Sequence, residues 1–167
     1  MAPPDPSAPV SYDVASTACS EPDRSNYVVP ADFAVTYLIG PAHGDWGQPR
    51  RLHLSADGHY TLTELVAPAA GSLTSPGERV VREGNLSVQA VRNIYAAVLV
   101  CDFFGLDGNF YDPSQLVGST DPVRAESVQV LAVTANGREH AITVRNIQVP
   151  RFLTVRTTLF TETGGMS

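Results

Sequence analysis

Two short hairpin signals constrain this chain more than any other feature of its sequence. Ser127–Thr134 is a run rich in Val and other apolar residues, Asn136-Gly137 follows, and Glu139–Val144 is a second strand-like run. Asn-Gly between two such runs is typical of a type I′ turn, because both central residues of that turn need positive φ. Strands joined by so tight a turn must pair antiparallel. This part of the chain therefore predicts an antiparallel hairpin.

A second pair of strand-like runs lies nearer the N-terminus, and these runs alternate polar and apolar residues. Arg51–Ser55 and His59–Leu65 flank Asp57-Gly58, a dipeptide that the same turn favours. A two-residue turn at this place sets His53 opposite Leu62. The sequence therefore predicts a second antiparallel hairpin with that register.

The stretch between the two hairpins contains one amphipathic helix. Asn85 or Ser87 can cap it, and the apolar residues after the cap recur at the helical period. Residues 67–79, which precede it, are rich in Gly, Pro and Ser and are predicted to be a loop. The predicted apolar stripe of the helix comprises Val88, Val91, Ile94, Tyr95, Val98 and Leu99.

Two further segments complete the predicted fold. Phe33–Ile39 is rich in β-branched and aromatic residues and is typical of a strand. Pro150–Thr161 fits a helix that begins at its proline, although its Val and Thr content also suits a strand; we favour the helix. The chain is therefore predicted to be α+β, a two-layer sandwich in which one or two helices cover an antiparallel sheet of about five strands built from two hairpins.

Composition divides the chain into three parts. Residues 1–31 are rich in Pro, Ser, Ala and acidic residues and hold few large apolar side chains, so they are predicted to form an extended N-terminal arm. Residues 32–162 are predicted to form a single α+β domain. Residues 163–167, which include Gly164-Gly165, are predicted to be a flexible tail.

The order of these motifs resembles a known family. Leu54–Tyr60 leads through a Gly-rich loop to the helix, which ends in Asp102–Leu106, and the second hairpin and a Pro-initiated segment follow. This order is similar to that of bacterial domains of unknown function of the DUF6438 type, over about residues 33–160. Members typically carry a cysteine-and-proline motif in the first strand-loop region, where this chain has Gly40–Gly47 without cysteine. The resemblance implies the α+β fold and no particular activity.

Charge and hydropathy exclude several function classes. The chain has 11 basic and 17 acidic residues and a net charge of -6, so it is not expected to bind nucleic acid by neutralising phosphates. No run approaches the ~20 apolar residues of a transmembrane helix, so no membrane span is expected. All the basic residues are arginine, which we attribute to a GC-rich genome, since only Arg50 and Arg51 are adjacent.

Two cysteines, Cys19 and Cys101, leave two alternatives open. Neither belongs to a metal-ligand spacing and Cys101 follows an apolar run, so we favour two independent cysteines with Cys101 buried. The alternative is a disulfide that ties the N-terminal arm to the end of the helix, as an oxidising compartment permits. The N-terminus lacks the basic and apolar regions of a secretory signal. We expect a cytoplasmic protein if Met1 is native and an extracytoplasmic one if a signal has been removed.

Histidine and aspartate suggest one candidate catalytic site. His43 and Asp45 lie in a predicted loop and His53 lies in the strand after it, so the three side chains suit a metal-dependent or acid–base site of a small hydrolase. No spacing such as HExxH joins them, and surface histidines are the simpler interpretation. No cofactor, resident metal, serine-nucleophile motif or phosphate-binding loop is predicted.

A binding role is the favoured hypothesis. Trp46 stands in a loop between glycines, where an exposed aromatic side chain is a common contact anchor, and Arg50 and Arg51 close to it suit acidic partners. With Tyr12 and Tyr27 of the arm, these residues form the predicted partner-binding set. We therefore expect a non-enzymatic binding or accessory-subunit protein with a protein partner. Its arm would dock on that partner or on its own domain.

Overall fold

A computed structural model describes residues 19, 27–41, 49–66, 77–111, 127–145 and 148–165. Within these ranges, seven strands form one sheet in the order β4-β3-β2-β1-β6-β7-β5. All neighbouring strands pair antiparallel except β5 and β7, which are parallel. The strands are β1 (Ala34–Pro41), β2 (Arg50–Ser55), β3 (His59–Val66), β4 (Gly77–Asn85), β5 (Asn109–Tyr111), β6 (Ser127–Ala135) and β7 (Arg138–Arg145). The helices are α1 (Val88–Val100) and α2 (Pro150–Thr163), with a 3-10 turn at Phe103–Gly105.

The α+β class is confirmed, but the predicted sheet of about five antiparallel strands is wrong. The sheet has seven strands and is mixed, because β5 runs parallel to β7. Strand β4 overlaps the predicted loop at 67–79, and its residues do not alternate because most of them are exposed at the edge of the sheet. Strand β5 has three residues, too few for any periodicity to appear.

The two hairpins differ in their turns. Asn136 and Gly137 have φ of 53° and 74°, and Ala135 pairs with Arg138, so the predicted type I′ turn is confirmed. Both carboxylate oxygens of Asp32 accept hydrogen bonds from the amides of this turn, at 2.7 Å from Gly137 and 2.8 Å from Asn136. These bonds stabilise the charged carboxylate and lower the pKa of Asp32.

The register predicted for the first hairpin is wrong by one residue. Only Gly58 has positive φ there, at 93°, and Leu54 pairs with Tyr60, so the loop has three residues rather than two. His53 consequently pairs with Thr61 and not with Leu62. A Cβ atom on Gly58 would lie 2.5 Å from the carbonyl oxygen of Leu86, in the short segment between β4 and α1. The close approach of this segment to the turn therefore also requires glycine at position 58.

Both predicted helices are present. Ser87 caps α1, its Oγ accepting a hydrogen bond from the amide of Ala90 at 3.1 Å. The middle of the predicted stripe is buried, whereas its two ends, Val88 and Leu99, are exposed. The Pro150 segment is a helix, as favoured, and it ends at Gly164 in the left-handed conformation.

The helices pack on one face of the sheet and run antiparallel to each other. Phe33 and Tyr37 project from the region of β1 onto this face and meet Tyr95 of α1 and Phe160 of α2, each pair with ring centroids 5.1 Å apart. Arg151 at the start of α2 reaches the end of α1 through the carbonyl oxygen of Cys101. One apolar core therefore lies between the helices and the sheet.

One helical stretch of the described residues, Val88–Gly105, is long and apolar enough to cross a membrane by length and composition alone. Half of this stretch is buried inside the structure, and it contains α1, which contributes to the core between helices and sheet. The same test is passed by core helices of proteins that do not cross a membrane, so it is weak evidence for a span.

Candidate functional site

The two ends of the sheet differ in how their strands are connected. The short turns between β2 and β3 and between β6 and β7 lie at one end, which we call the turn end. The opposite end, which we call the loop end, carries longer connections, and functional residues commonly occupy such loops on a rigid scaffold. Strand pairing places one terminus of each of the seven described strands at the loop end: Pro41, Arg50, Val66, Gly77, Tyr111, Ser127 and Arg145.

Two of the predicted contact residues, Arg50 and Arg51, lie at the loop end and make ion pairs within the chain. Arg51 contacts Glu78 of β4 at 2.6 Å, and Arg50 contacts Glu64 of β3 at 3.6 Å. Glu64 also pairs with Arg79 at 2.9 Å. Because Arg50 and Arg51 are neighbours in β2, their side chains lie on opposite faces of the sheet, and the Arg51–Glu78 pair is separate from the group of Arg50, Glu64 and Arg79. Because these arginines are about a third exposed or more, each pair contributes little to stability, on the order of 0–1 kcal/mol.

His53 lies on the sheet face away from the helices, because its neighbours Leu52 and Leu54 are fully buried on the other face. Its Nδ1 is 2.7 Å from the Oγ1 of Thr36 on β1. Partial burial, and to a smaller extent the positive charge of Arg51, lower the pKa of His53. The imidazole is therefore held toward its neutral form, in which one ring nitrogen accepts a hydrogen bond or ligates a metal.

The other two residues of the predicted hydrolase site, His43 and Asp45, lie outside the described residues, as do Trp46 and Tyr12. Within the ranges that the structure describes, no group of three His, Cys, Asp or Glu side chains is placed to hold a metal ion. Among the residues that the structure describes, the hydrogen-bond partner of the His53 ring is Thr36. The hydrolase hypothesis stays a prediction, and so do the contact roles of Trp46 and Tyr12.

Cys19 and Cys101 form a disulfide, so the favoured interpretation of two independent cysteines is wrong. Their sulfur atoms are 2.06 Å apart and their Cα atoms 4.7 Å apart. Cys101 is fully buried at the end of α1, as predicted, while Cys19 is partly buried. Tyr27 and Val29 also pack against the core. The described part of the arm is therefore attached to its own domain, covalently at Cys19 and by apolar packing nearer β1.

The end of α1 beneath the disulfide is closed by an arginine that is not among the predicted site residues. Arg151 is 8% exposed, and its guanidinium donates hydrogen bonds to the carbonyl oxygens of Cys101 at 2.6 Å and Asp102 at 3.1 Å. A cation is favourable there, because the last carbonyl groups of a helix carry partial negative charge. The sequence contained a signal for this contact. A positive charge in the first turn of α2 is unfavourable with the dipole of that helix, so a basic residue there indicates a favourable contact with another element.

A second missed group lies between the sheet and α2. Gln129 of β6 accepts hydrogen bonds at its Oε1 from the hydroxyl of Tyr37 and from the guanidinium of Arg156. Burial raises the pKa of Tyr37, although the nearby positive charge of Arg156 opposes that shift. The Arg156 guanidinium also lies over the ring of Phe160, 5.6 Å from its centroid. No sequence spacing predicts this group, because its members come from three separate elements.

No family model matches the chain, and no curated protein is significantly similar to it. The resemblance to the DUF6438 type of domain therefore stays a prediction that rests on its sequence motifs.

Proposed function

We propose that this chain is a non-enzymatic binding or accessory-subunit protein of an oxidising, extracytoplasmic compartment. Its arm is attached to its own domain, and its loop end binds a protein partner. The observation that carries the proposal is the disulfide between Cys19 and Cys101.

The disulfide supports the compartment. Structural disulfides persist outside the cytoplasm and are rare within it, because cytoplasmic thiols are kept reduced. Cys101 is fully buried, which protects the bond from exchange with external thiols. The bond joins no catalytic pair and lies beside a capped helix end, as expected for a structural bond.

The placement of the arm supports docking on the domain rather than on a partner. Cys19 attaches the arm at the end of α1, and Tyr27 and Val29 pack on the core before β1 begins. Tyr27 therefore serves the domain itself, whereas Arg50 and Arg51 remain at the loop end, beside the connection that contains Trp46. The partner-binding role is therefore assigned to the loop end of the sheet.

The compartment is tested by trapping thiols in the source cells with an alkylating reagent before lysis, followed by fractionation and mass spectrometry of the intact chain. We expect the chain in the extracytoplasmic fraction with both cysteines unmodified by the reagent. A chain recovered from the cytoplasm with two alkylated cysteines would contradict the proposed compartment.

The binding role is tested by cross-linking in the source cells with the tagged full chain. We expect a specific cross-linked protein whose recovery falls with Trp46→Ala and with the double variant Arg50→Ala/Arg51→Ala. Arg138→Ala is the matched control, because Arg138 is exposed at the turn end. The binding role fails if the control loses the partner equally, or if the chain shows a hydrolytic activity that His53→Ala abolishes.

A further inference from the structure

Two exposed valines lie next to each other on one edge strand of the sheet. β4 is the edge strand, and its Val80 and Val81 side chains are 55% and 42% exposed. Val88 follows the end of β4 closely, on the first turn of α1, and is 73% exposed. In the part of the chain that the structure describes, the other exposed large apolar side chains are Val28 and Leu99. Apolar side chains concentrated at one place on a surface indicate an interaction site.

The backbone of β4 is suited to pairing with another strand. It has 9 residues and pairs with β3 on its inner side. No other strand in the described ranges pairs with its outer side, so a row of N–H and C=O groups faces outward. The opposite edge of the sheet is β5, which has 3 residues. β4 is therefore the long edge of this sheet.

Charged residues usually protect an edge strand from pairing, but on β4 three of them are turned back toward the chain. Glu78 pairs with Arg51 at 2.6 Å, and Arg79 pairs with Glu64 at 2.9 Å. Arg82 donates hydrogen bonds to the carbonyl oxygens at the end of α2, at 3.0 Å and 2.6 Å. These charges are compensated inside the chain, so the valines dominate the centre of the edge.

The centre of β4 reads the same in both directions, Glu78-Arg79-Val80-Val81-Arg82-Glu83. An antiparallel copy of the strand therefore presents the same order of side chains, with a twofold axis between the two valines. We propose that β4 is a dimer interface, at which two copies of this chain pair edge to edge with the valines of one copy against those of the other. This proposal does not depend on the proposed function.

Such a dimer closes on itself. Pairing β4 with β4 occupies the long edge of each copy, and the twofold symmetry leaves only the short β5 edges at the outside. Val81 is the extra residue of a β-bulge, since Thr63 pairs with Val80 and Leu62 with Arg82. The bulge twists the strand locally, which limits pairing to the few residues around the valines. Across the axis Glu78 of one copy faces Glu83 of the other, and Arg79 faces Arg82. Glu78, Arg79 and Arg82 are compensated within their own copy, which reduces the repulsion between these like charges.

Sedimentation velocity of the oxidised full chain, over micromolar to submillimolar concentrations, tests the interface. We expect a concentration-dependent dimer whose dissociation constant rises by roughly tenfold or more in Val81→Lys, since a charge then lies at the centre of the contact. Val28→Lys is the matched control, because Val28 is an exposed valine outside β4 and is expected to leave the dimer intact. Circular dichroism checks that both variants fold.

Hydrogen exchange provides an independent readout. We expect the outward amides of β4 to gain protection as the concentration rises, and to lose that gain in Val81→Lys. A chain that stays monomeric over the whole range overturns the proposal. A dimer that Val28→Lys weakens as much as Val81→Lys does, or that neither variant weakens, also overturns it, because the contact would then lie elsewhere.

Discussion

Removing the disulfide is the perturbation whose effect follows most directly from the structure. The two cysteines are 82 residues apart in sequence. In the chain-entropy treatment, a cross-link that closes a loop of this length lowers the entropy of the unfolded chain by about 15 cal/mol/K, or about 4.5 kcal/mol at 25 °C. We predict that Cys19→Ser lowers the free energy of unfolding by 2–4.5 kcal/mol, where the lower limit allows for residual structure in the unfolded chain.

Cys19 is the residue to replace, because Cys101 is fully buried and its carbonyl oxygen accepts a hydrogen bond from Arg151. Urea unfolding followed by circular dichroism measures the change, with and without reductant. The denaturant dependence, m, is expected to rise in the variant, because the unfolded chain without its cross-link exposes more surface. Reductant is expected to destabilise the wild type by a similar amount and to leave Cys19→Ser unchanged.

A loss below about 1 kcal/mol on reduction or in Cys19→Ser would refute this reasoning. Such a result would mean that packing alone holds the arm on the domain. It would also mean that Cys19 and Cys101 stay close together in the unfolded chain, so that the disulfide removes little entropy from it. A destabilisation of Cys19→Ser that reductant does not reproduce in the wild type would also refute it, because the effect would then come from the serine.

Four further predictions concern contacts at a helix cap, at a turn and at two titrating groups. Arg151→Met keeps the apolar stem but removes the donors that cap α1, and is expected to cost about 2 kcal/mol in urea unfolding; a neutral effect would mean that water replaces the guanidinium. Gly58→Ala is expected to cost at least about 2 kcal/mol, because its Cβ would meet a backbone oxygen at 2.5 Å. The matched control Gly137→Ala has positive φ but no atom within 4 Å of the added Cβ, and is expected to cost about 1 kcal/mol; equal costs would contradict the contact at Gly58. Stability contributed by Asp32, whose native pKa is lowered, is present above about pH 4 and is lost as the pH falls through that native pKa, so Asp32→Asn flattens the acid limb of the stability profile. The native pKa of His53 is lowered as well, so the unfolded chain binds more protons than the native chain just below about pH 6.5. Stability therefore falls as the pH is lowered through that range, and His53→Gln is expected to reduce this fall. An unchanged dependence of stability on pH in the variant, measured by urea unfolding with nuclear magnetic resonance titration of the histidine, would contradict this prediction.

Local signals predicted most elements of this fold but not how many strands joined its sheet. The Asn136-Gly137 turn and the middle of the α1 stripe followed from residue preference and periodicity, which act within a few residues. Strand β4 was missed because an edge strand with exposed residues shows no alternation between buried and exposed faces. The first hairpin was placed one residue out of register because Asp57-Gly58 also occurs in three-residue loops.

The candidate site was less predictable than the fold. Arg50, Arg51 and His53 were identified by residue type, but their surroundings were not: the arginines pair with Glu64 and Glu78, and His53 contacts Thr36. These partners lie on other strands, and a strand register decides which side chains stand opposite each other. A list of reactive residue types therefore indicates candidates without indicating their chemistry.

The sequence by itself determined the α+β class, the α1 and α2 helices and the type I′ hairpin, because turn chemistry and apolar period are local properties. Only the tertiary structure decided that Cys19 reaches Cys101, that Arg151 closes the end of α1, and that β4, with its exposed valines, is an edge strand among the described strands. The physical reason is that each of these depends on which distant segments the core brings together. Burial and pairing across the whole chain set that arrangement, and no window of neighbouring residues contains it.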